Sequence, residues 1–225
     1  MAKARASRRS KPASRQVSKR AQTVWGSLLG AMTLVVGGLL ALDRSRAPST
    51  EGMTLPPLVA TSTPDSVDVV FRTTAPLDAR RWKAIVIHDT GSPSGSPDSL
   101  DAAARKAGLR GLGQHFVIGN GKGMADGELH VGGRWMSQSL GAHTAGPNSD
   151  WYNRNAIGIC LVGDGDRKTF TPAQMRRLVQ LVDALCQELD IPADQVFLHS
   201  QLAQTTSPGR LFPDAAFRAQ LAGSR

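Results

Sequence analysis

Residues 24–42 run for nineteen positions without a charged side chain: Val-Trp-Gly-Ser-Leu-Leu-Gly-Ala-Met-Thr-Leu-Val-Val-Gly-Gly-Leu-Leu-Ala-Leu. As an α-helix this stretch is about 28 Å long, which matches the hydrocarbon core of a bilayer. It is apolar on every face, unlike a soluble helix with one buried stripe. Trp25 stands at one end, where the interface favours its amphipathic ring. Lys3, Arg5, Arg8, Arg9, Lys11, Arg15, Lys19 and Arg20 precede the run with no acid among them, and only Arg44 and Arg46 follow it closely. That bias holds the N-terminus in the cytoplasm and exports the rest. A cleaved signal peptide is the competing reading. The run is longer than the usual apolar region of such a peptide and no clean small-x-small site follows, so it is read as an uncleaved anchor. The expected organisation is a basic cytoplasmic tail at 1–23, a single transmembrane anchor at 24–42, a linker at 43–77 and a folded domain at 78–222. The domain is expected on the outer side of the inner (cytoplasmic) membrane.

Charge supports this division. The chain carries 27 Lys and Arg against 18 Asp and Glu, a net +9. Residues 1–46 hold ten of the basic residues and only Asp43 as an acid, which leaves 17 of each sign beyond them. The exported part is neutral, so no nucleic-acid partner is expected. The basic tail sets topology and touches anionic lipid. Pro48, Pro56, Pro57, Pro64 and Pro76 interrupt the Ser/Thr-rich linker, which is expected to be extended. Within it, residues 67–71 read as a short strand or edge segment.

Beyond the linker, Ala84-Ile-Val-Ile-His88 is a short β-branched apolar run, the pattern of a buried strand. Pro97 opens a helix with Asp98 or Ser99 as cap, and Gly108 ends it. Residues 115–118, 128–131, 156–162 and 196–199 read as further strands. Thr171-Pro-Ala-Gln174 is a helix start with a capping residue, a first-turn proline and a reciprocal partner three residues on. Met175, Leu178, Val182, Leu185, Cys186 and Leu189 form the apolar stripe of that helix. Residues 214–221 read as a terminal helix. Strands alternating with helices predict an α/β single domain with a mixed central β-sheet flanked by helices.

The chain has five histidines. His88 and His199 both end buried apolar strands, the edge of an α/β sheet where ligands bind. Two imidazoles placed alike suggest a shared metal site, because neutral imidazole is a good zinc donor. Six motifs follow in order: Ile85-Val-Ile-His88-Asp-Thr-Gly, Gly113-Gln-His-Phe-Val-Ile-Gly119, Gly141-Ala-His143-Thr, Ile157-Gly-Ile-Cys-Leu-Val-Gly163, Phe170-Thr-Pro-Ala-Gln174, and His199 with Ser207-Pro-Gly209. This series resembles the zinc-dependent N-acetylmuramoyl-L-alanine amidases, a family that includes phage lysozyme amidases and peptidoglycan-recognition proteins. The resemblance covers roughly residues 80–218.

It implies zinc held by His88, His199 and a third ligand that is usually Cys or Asp before Pro-Gly. Here that ligand position is Ser207, a poor zinc donor beside a thiolate or carboxylate. Many relatives place a Tyr where Gln114 stands, and others a Glu where Cys160 stands. Gln114 hydrogen-bonds but transfers no proton. Thr205 matches a threonine near the reacting carbonyl in some relatives. It serves either as an oxyanion donor or as a brace for its own loop.

His143 resembles a groove-lining histidine of the family. Gln114, His143, Trp151 and Asn153 are the candidate substrate contacts, with Trp135 and Tyr152 beside them; loop packing is the alternative for the aromatic residues. His115 is expected in the sheet packing and His130 on a solvated face. Asp89 is either a compensating ligand or a turn residue, and Asp164 and Asp166 read as turn residues. Cys160 and Cys186 are read as buried free thiols, with a disulfide as the alternative. Two functions remain. One is a membrane-anchored domain that recognises peptidoglycan or muropeptides with an impaired zinc site. The other is an active amidase cleaving the bond between N-acetylmuramic acid and L-alanine.

Overall fold

The computed structural model describes residues 53–55 and 65–223. The expected tail and anchor lie outside these residues. Among the described residues no helix is long and apolar enough to cross a membrane.

Six strands form one mixed sheet in the order β1-β4-β3-β5-β2-β6. They are β1 (Met53–Leu55), β2 (Ala84–Asp89), β3 (Phe116–Ile118), β4 (Leu129–Val131), β5 (Ala156–Leu161) and β6 (Val196–Leu198). Strands β3, β5, β2 and β6 run parallel, while β4 pairs antiparallel with both β3 and β1. The short helices α1 (Asp65–Asp68), α3 (Gly133–Met136) and α4 (Ser149–Asn155) accompany the longer α2 (Pro97–Lys106), α5 (Pro172–Leu189) and α6 (Asp214–Gly223). The expected α/β class and mixed sheet are those observed.

The two-residue period of the central strands sorts their side chains onto two faces. Ile85 and Ile87 of β2 and Ile157, Ile159 and Leu161 of β5 join the large core beneath α5 and α6. Ala84, Val86, His88, Ala156, Gly158 and Cys160 fall on the opposite face by alternation. That face carries two smaller apolar clusters. Val117, Met124, Cys160 and Val162 pack with Leu100 of α2 at one end. Ala84, Val86 and Ala156 pack with Tyr152 and Leu202 at the other. His88 stands between them.

Helix α5 begins as its sequence predicts. The Thr171 hydroxyl accepts from Gln174 N at 3.0 Å, and Thr171 N donates to Gln174 Oε1 at 3.2 Å. Gln174 Nε2 also donates to the Ile118 and Val162 carbonyls, so the cap is tied to the ends of β3 and β5. The buried face takes in Leu181 and two polar residues, Gln174 and Arg177, beyond the expected stripe, and Met175 is only partly buried. Arg177 reaches that environment by donating Nε–H to the Gly127 carbonyl at 2.9 Å.

Several expectations are corrected. Residues 65–71 form α1 and a 3-10 turn (Val69–Phe71), not a strand. Val67 and Val70 are buried in the main core, so the packed domain reaches back into the stretch read as linker. Helix α2 is capped by Ser96 rather than Asp98 or Ser99; Ser96 and Ser99 exchange side-chain and backbone hydrogen bonds. Trp135 is fully buried and donates Nε1–H to the Val70 carbonyl at 2.7 Å, so it is a core residue and lines no groove. His130 is 6% exposed rather than solvated, on a strand that is internal to the sheet between β1 and β3. Cys160 and Cys186 are free and buried, in clusters on opposite faces of the sheet, which excludes a bond between them.

Candidate functional site

Strand β2 delivers His88 to the sheet's C-terminal edge, and β6 ends one residue before His199. These strands pair in parallel with Ile87 opposite Leu198, so the two histidines arrive side by side. Their ring centroids lie 4.4 Å apart. The loop after α3 brings His143 to the other side of His88, with centroids 5.1 Å apart and His88 Nε2 at 3.2 Å from His143 Nδ1. Thus His88, His143 and His199 form one cluster. His88 and His143 are buried, and His199 is half-buried with its Nε2 enclosed and unbonded among the described residues.

Burial dominates the electrostatics. It pushes the His88 pKa well below 6.5, helped by the neighbouring imidazoles, and it pushes His143 down to about 4. Burial also lowers His199, against a smaller opposing pull from Asp89. All three rings are therefore neutral near pH 7 and offer lone pairs rather than charge.

His143 fits because Gly158 has no side chain. A Cβ at Gly158 would lie 2.6 Å from the His143 ring. Asn153 holds the loop above: its Oδ1 accepts from the His143 and Thr144 amides, and its Nδ2 donates to the Thr144 carbonyl. Asn153 thus fixes the backbone of the loop that carries His143. His115 packs edge-on to Trp82 at 5.0 Å, and its Nδ1 accepts from Gly158 N at 2.9 Å. It is part of the sheet packing, as expected.

Ser207, the expected third ligand position, lies on the turn 205–210. Ser207 Oγ accepts from the Asp89 amide at 3.0 Å, and its carbonyl accepts from Ser200 N at 2.8 Å. Thr205 Oγ1 accepts from Ser207 N at 3.2 Å, the loop-bracing role open to it. Asp89 Oδ2 accepts from Gly165 N, and Asp166 accepts from the Thr206 hydroxyl and the Arg210 amide. Asp89 and Asp166 therefore join the turn 163–166 to the serine turn, a role beyond the turn residue read for Asp166. These hydrogen bonds from Thr206 and Arg210 hold the Asp166 carboxyl below its ordinary pKa.

Does this donor set suit the zinc expected here? Two neutral imidazoles do. The third side chain is a hydroxyl already engaged by a backbone N–H, and burial with Asp89 nearby pushes the Cys160 thiol far up. His88, His143 and His199 cluster, but among the described residues no three His, Cys, Asp or Glu side chains are arranged to hold a metal ion. The set does not fit a three-ligand catalytic zinc site.

Of the other candidates, Gln114 is half-buried just ahead of β3, beside His115. Trp151 is 44% exposed and stacks edge-on against Tyr152. The sequence reading did not single out Gly158 or Thr144. The only sequence signal for Gly158 is a glycine inside an otherwise apolar strand, which marks close approach of another group.

A family model described as N-acetylmuramoyl-L-alanine amidase matches residues 78–210, which include the whole cluster and the serine turn. The chain belongs to the N-acetylmuramoyl-L-alanine amidase family. An endolysin of Escherichia phage T7 is 37% identical over 86 residues, 36% of this chain and 49% of the endolysin. An endolysin of Enterobacteria phage T3 is 36% identical over 86 residues. The matched segment thus spans about half the length of these relatives. Among solved structures, an endolysin N-acetylmuramoyl-L-alanine amidase from Clostridium intestinale is 28% identical, with a TM-score of 0.53 over 67% of this chain and 90% of its own. Within this amidase family domain, the His88 and His199 imidazoles lie side by side and Ser207 stands on the turn that the Asp89 amide holds.

Proposed function

We propose that this chain is a membrane-anchored amidase-family domain that recognises peptidoglycan fragments (muropeptides) in the cell envelope without cutting them efficiently. The observation that carries the reading is Ser207. By motif position it replaces the thiolate or carboxylate that the family resemblance calls for as third zinc ligand, and its hydroxyl is engaged as the acceptor of the Asp89 amide. A zinc-bound water is the nucleophile of metal-dependent amide hydrolysis, and its activation needs a firmly held ion. The neutral histidines and the loops around them still provide hydrogen-bonding groups for a sugar–peptide ligand. Residues 24–42 would fix the domain to the outer face of the inner membrane, with 1–23 in the cytoplasm.

The second reading, a zinc-dependent amidase, draws on His199, whose buried Nε2 has no partner beside His88 among the described residues. One experiment separates the two. The full-length chain in detergent is assayed for zinc by elemental mass spectrometry, for retention on insoluble peptidoglycan, and for release of peptide from muropeptides. Retention with zinc far below one per chain and no release supports recognition. Near-stoichiometric zinc with release establishes the amidase, and absence of retention and release defeats both. Accessibility of the domain to protease added outside intact spheroplast membranes tests the anchor.

A further inference from the structure

We propose that a cavity beyond the carboxyl ends of β2, β3 and β5 is a second ligand site, separate from the histidine cluster. It takes the acylated end of a short peptide, with aliphatic side chains inside and the free carboxylate at the mouth. That this acid is the end of a wall stem peptide rests on the recognition reading above; the cavity and its charge do not.

The connectivity of the sheet places a crevice here. Strands β2 and β5 are parallel neighbours. The chain leaves β2 for α2, which packs on the face of Cys160, and leaves β5 for α5, which packs on the opposite face. Neighbouring strands whose connections part in this way leave an opening beyond their carboxyl ends. A cavity of about 140 Å³ occupies it, lined by Pro93 beyond β2, Lys122 beyond β3, and Val162 and Phe170 beyond β5. None of the five histidines lines it. Its walls are tied to one another. Asn120 Nδ2 donates to the Pro93 carbonyl at 3.1 Å, Gly95 N to the Lys122 carbonyl at 3.0 Å, and Gln174 Nε2 to the Val162 carbonyl at 2.8 Å. The space is therefore preformed, as ligand sites usually are. A cavity of about 150 Å³ holds a benzene ring, so this one admits roughly one or two small residues.

The lining selects the chemistry. Val162 and Phe170 are buried and give an apolar floor, while Lys122, Arg167 and Lys168 are exposed and set the charge of the mouth. Asp164 is the only carboxylate of the lining, and Arg167 pairs with it at 3.2 Å. Neither the Lys122 nor the Lys168 ammonium has a carboxylate partner among the described residues. These two cations come from different loops, so surplus positive charge meets the mouth from two of its walls. The start of α5 is already closed by Thr171 and Gln174, so the charge preference comes from the lysines. A carboxylate gains charge-assisted hydrogen bonds there, and the aliphatic part of the same molecule leaves water on the floor. Inorganic phosphate would leave the floor unused, and a neutral peptide end would leave the ammonium groups unpaired.

The test titrates N-acetyl-D-alanyl-D-alanine into the full-length chain in detergent, followed by calorimetry and by backbone amide shifts. Its C-terminal amide and inorganic phosphate are titrated alongside. The acid is expected to bind at least about tenfold more tightly than either, with the Gly163 and Thr169 amides moving most. Lys122→Gln combined with Lys168→Gln, both exposed positions, is expected to weaken the acid at least about tenfold at an unchanged melting temperature. Equal binding of acid and amide overturns the ionic half of the proposal, and phosphate binding as tightly as the acid overturns the apolar half. Shifts centred on His88 and His143 place the acid at the histidine cluster and overturn the separate site, as does no binding at millimolar acid. Retention on insoluble peptidoglycan is read separately. Acid binding in the cavity without retention upholds the site and defeats the recognition reading. Retention without acid binding does the reverse.

Discussion

At the scale of single residues, the cluster is two imidazoles that were legible and a neighbourhood that was not. His88 and His199 are visible because each closes an apolar strand, and strand ends are where ligands meet an α/β sheet. His143 is legible as a loop histidine and, by its motif, as a groove-lining one; that its ring lies against Gly158 depends on the loop folding back onto the sheet, which no local pattern encodes. Gly158→Ala should therefore destabilise the domain by about 1–3 kcal/mol through overpacking, read as a lower denaturant midpoint at unchanged slope. A midpoint unchanged from wild type would mean that the His143 ring lies elsewhere. Ser207→Cys replaces a hydroxyl by a thiol beside two imidazoles and should raise zinc affinity at least about tenfold in a competition titration. Unaltered affinity would show that the 207 side chain does not face the imidazole pair.

At the scale of elements, local chemistry and long-range burial divide the outcome. Helix α5 was readable to its first residue, because Thr171, Pro172 and Gln174 satisfy the end of a helix using neighbours in sequence. Thr171→Ala should cost about 1 kcal/mol, measured by thermal or denaturant unfolding. Gln174→Ala should cost more, since it also unties the Ile118 and Val162 carbonyls. Where the deciding contact is distant, the reading failed. Residues 67–71 are a short apolar run, and such a run does not distinguish strand from helix by periodicity. The sequence leaves Trp135 open between a groove and loop packing, and the contact that decides it is with Val70, 65 positions away, whose carbonyl accepts from the indole. The cap of α2 is Ser96, while Asp98 and Ser99, the residues expected in that role, lie inside the first turn.

At the scale of the molecule, burial of neutral histidines sets how the domain responds to acid. His88, His115 and His143 all have pKa values pushed below 6.5 by burial, His143 to about 4. The unfolded chain therefore binds protons that the folded chain refuses as pH falls below 6.5. Stability is full above that value and declines toward pH 4, by up to about 1.4 kcal/mol per pH unit for each such histidine. Unfolding midpoints followed from pH 8 to 4 check this, and a flat profile would contradict the neutral cluster. The boundary of the domain is a second molecular-scale matter. A chain starting at 78 lacks Val67 and Val70 and exposes the Trp135 side of the core, so it should melt below one starting at 48. The composition of 43–77 suggests a tether apart from the apolar run at 67–71, because prolines and hydroxyl residues dominate it, and nothing local shows that Val67 and Val70 belong to the core. Finally, the turns 163–166 and 205–210 meet backbone to backbone: a Cβ at Gly165 would collide with the Pro208 carbonyl, and one at Gly209 with the Gly165 main chain. The seat of residue 207 is thus built from main chain, like a socket whose shape is indifferent to the bulb it holds. Exchanging hydroxyl, thiol and carboxylate there changes the donor that the turn carries while asking neither turn for a new main-chain path, so the chemistry on offer at this corner is set by one side chain rather than by a new architecture.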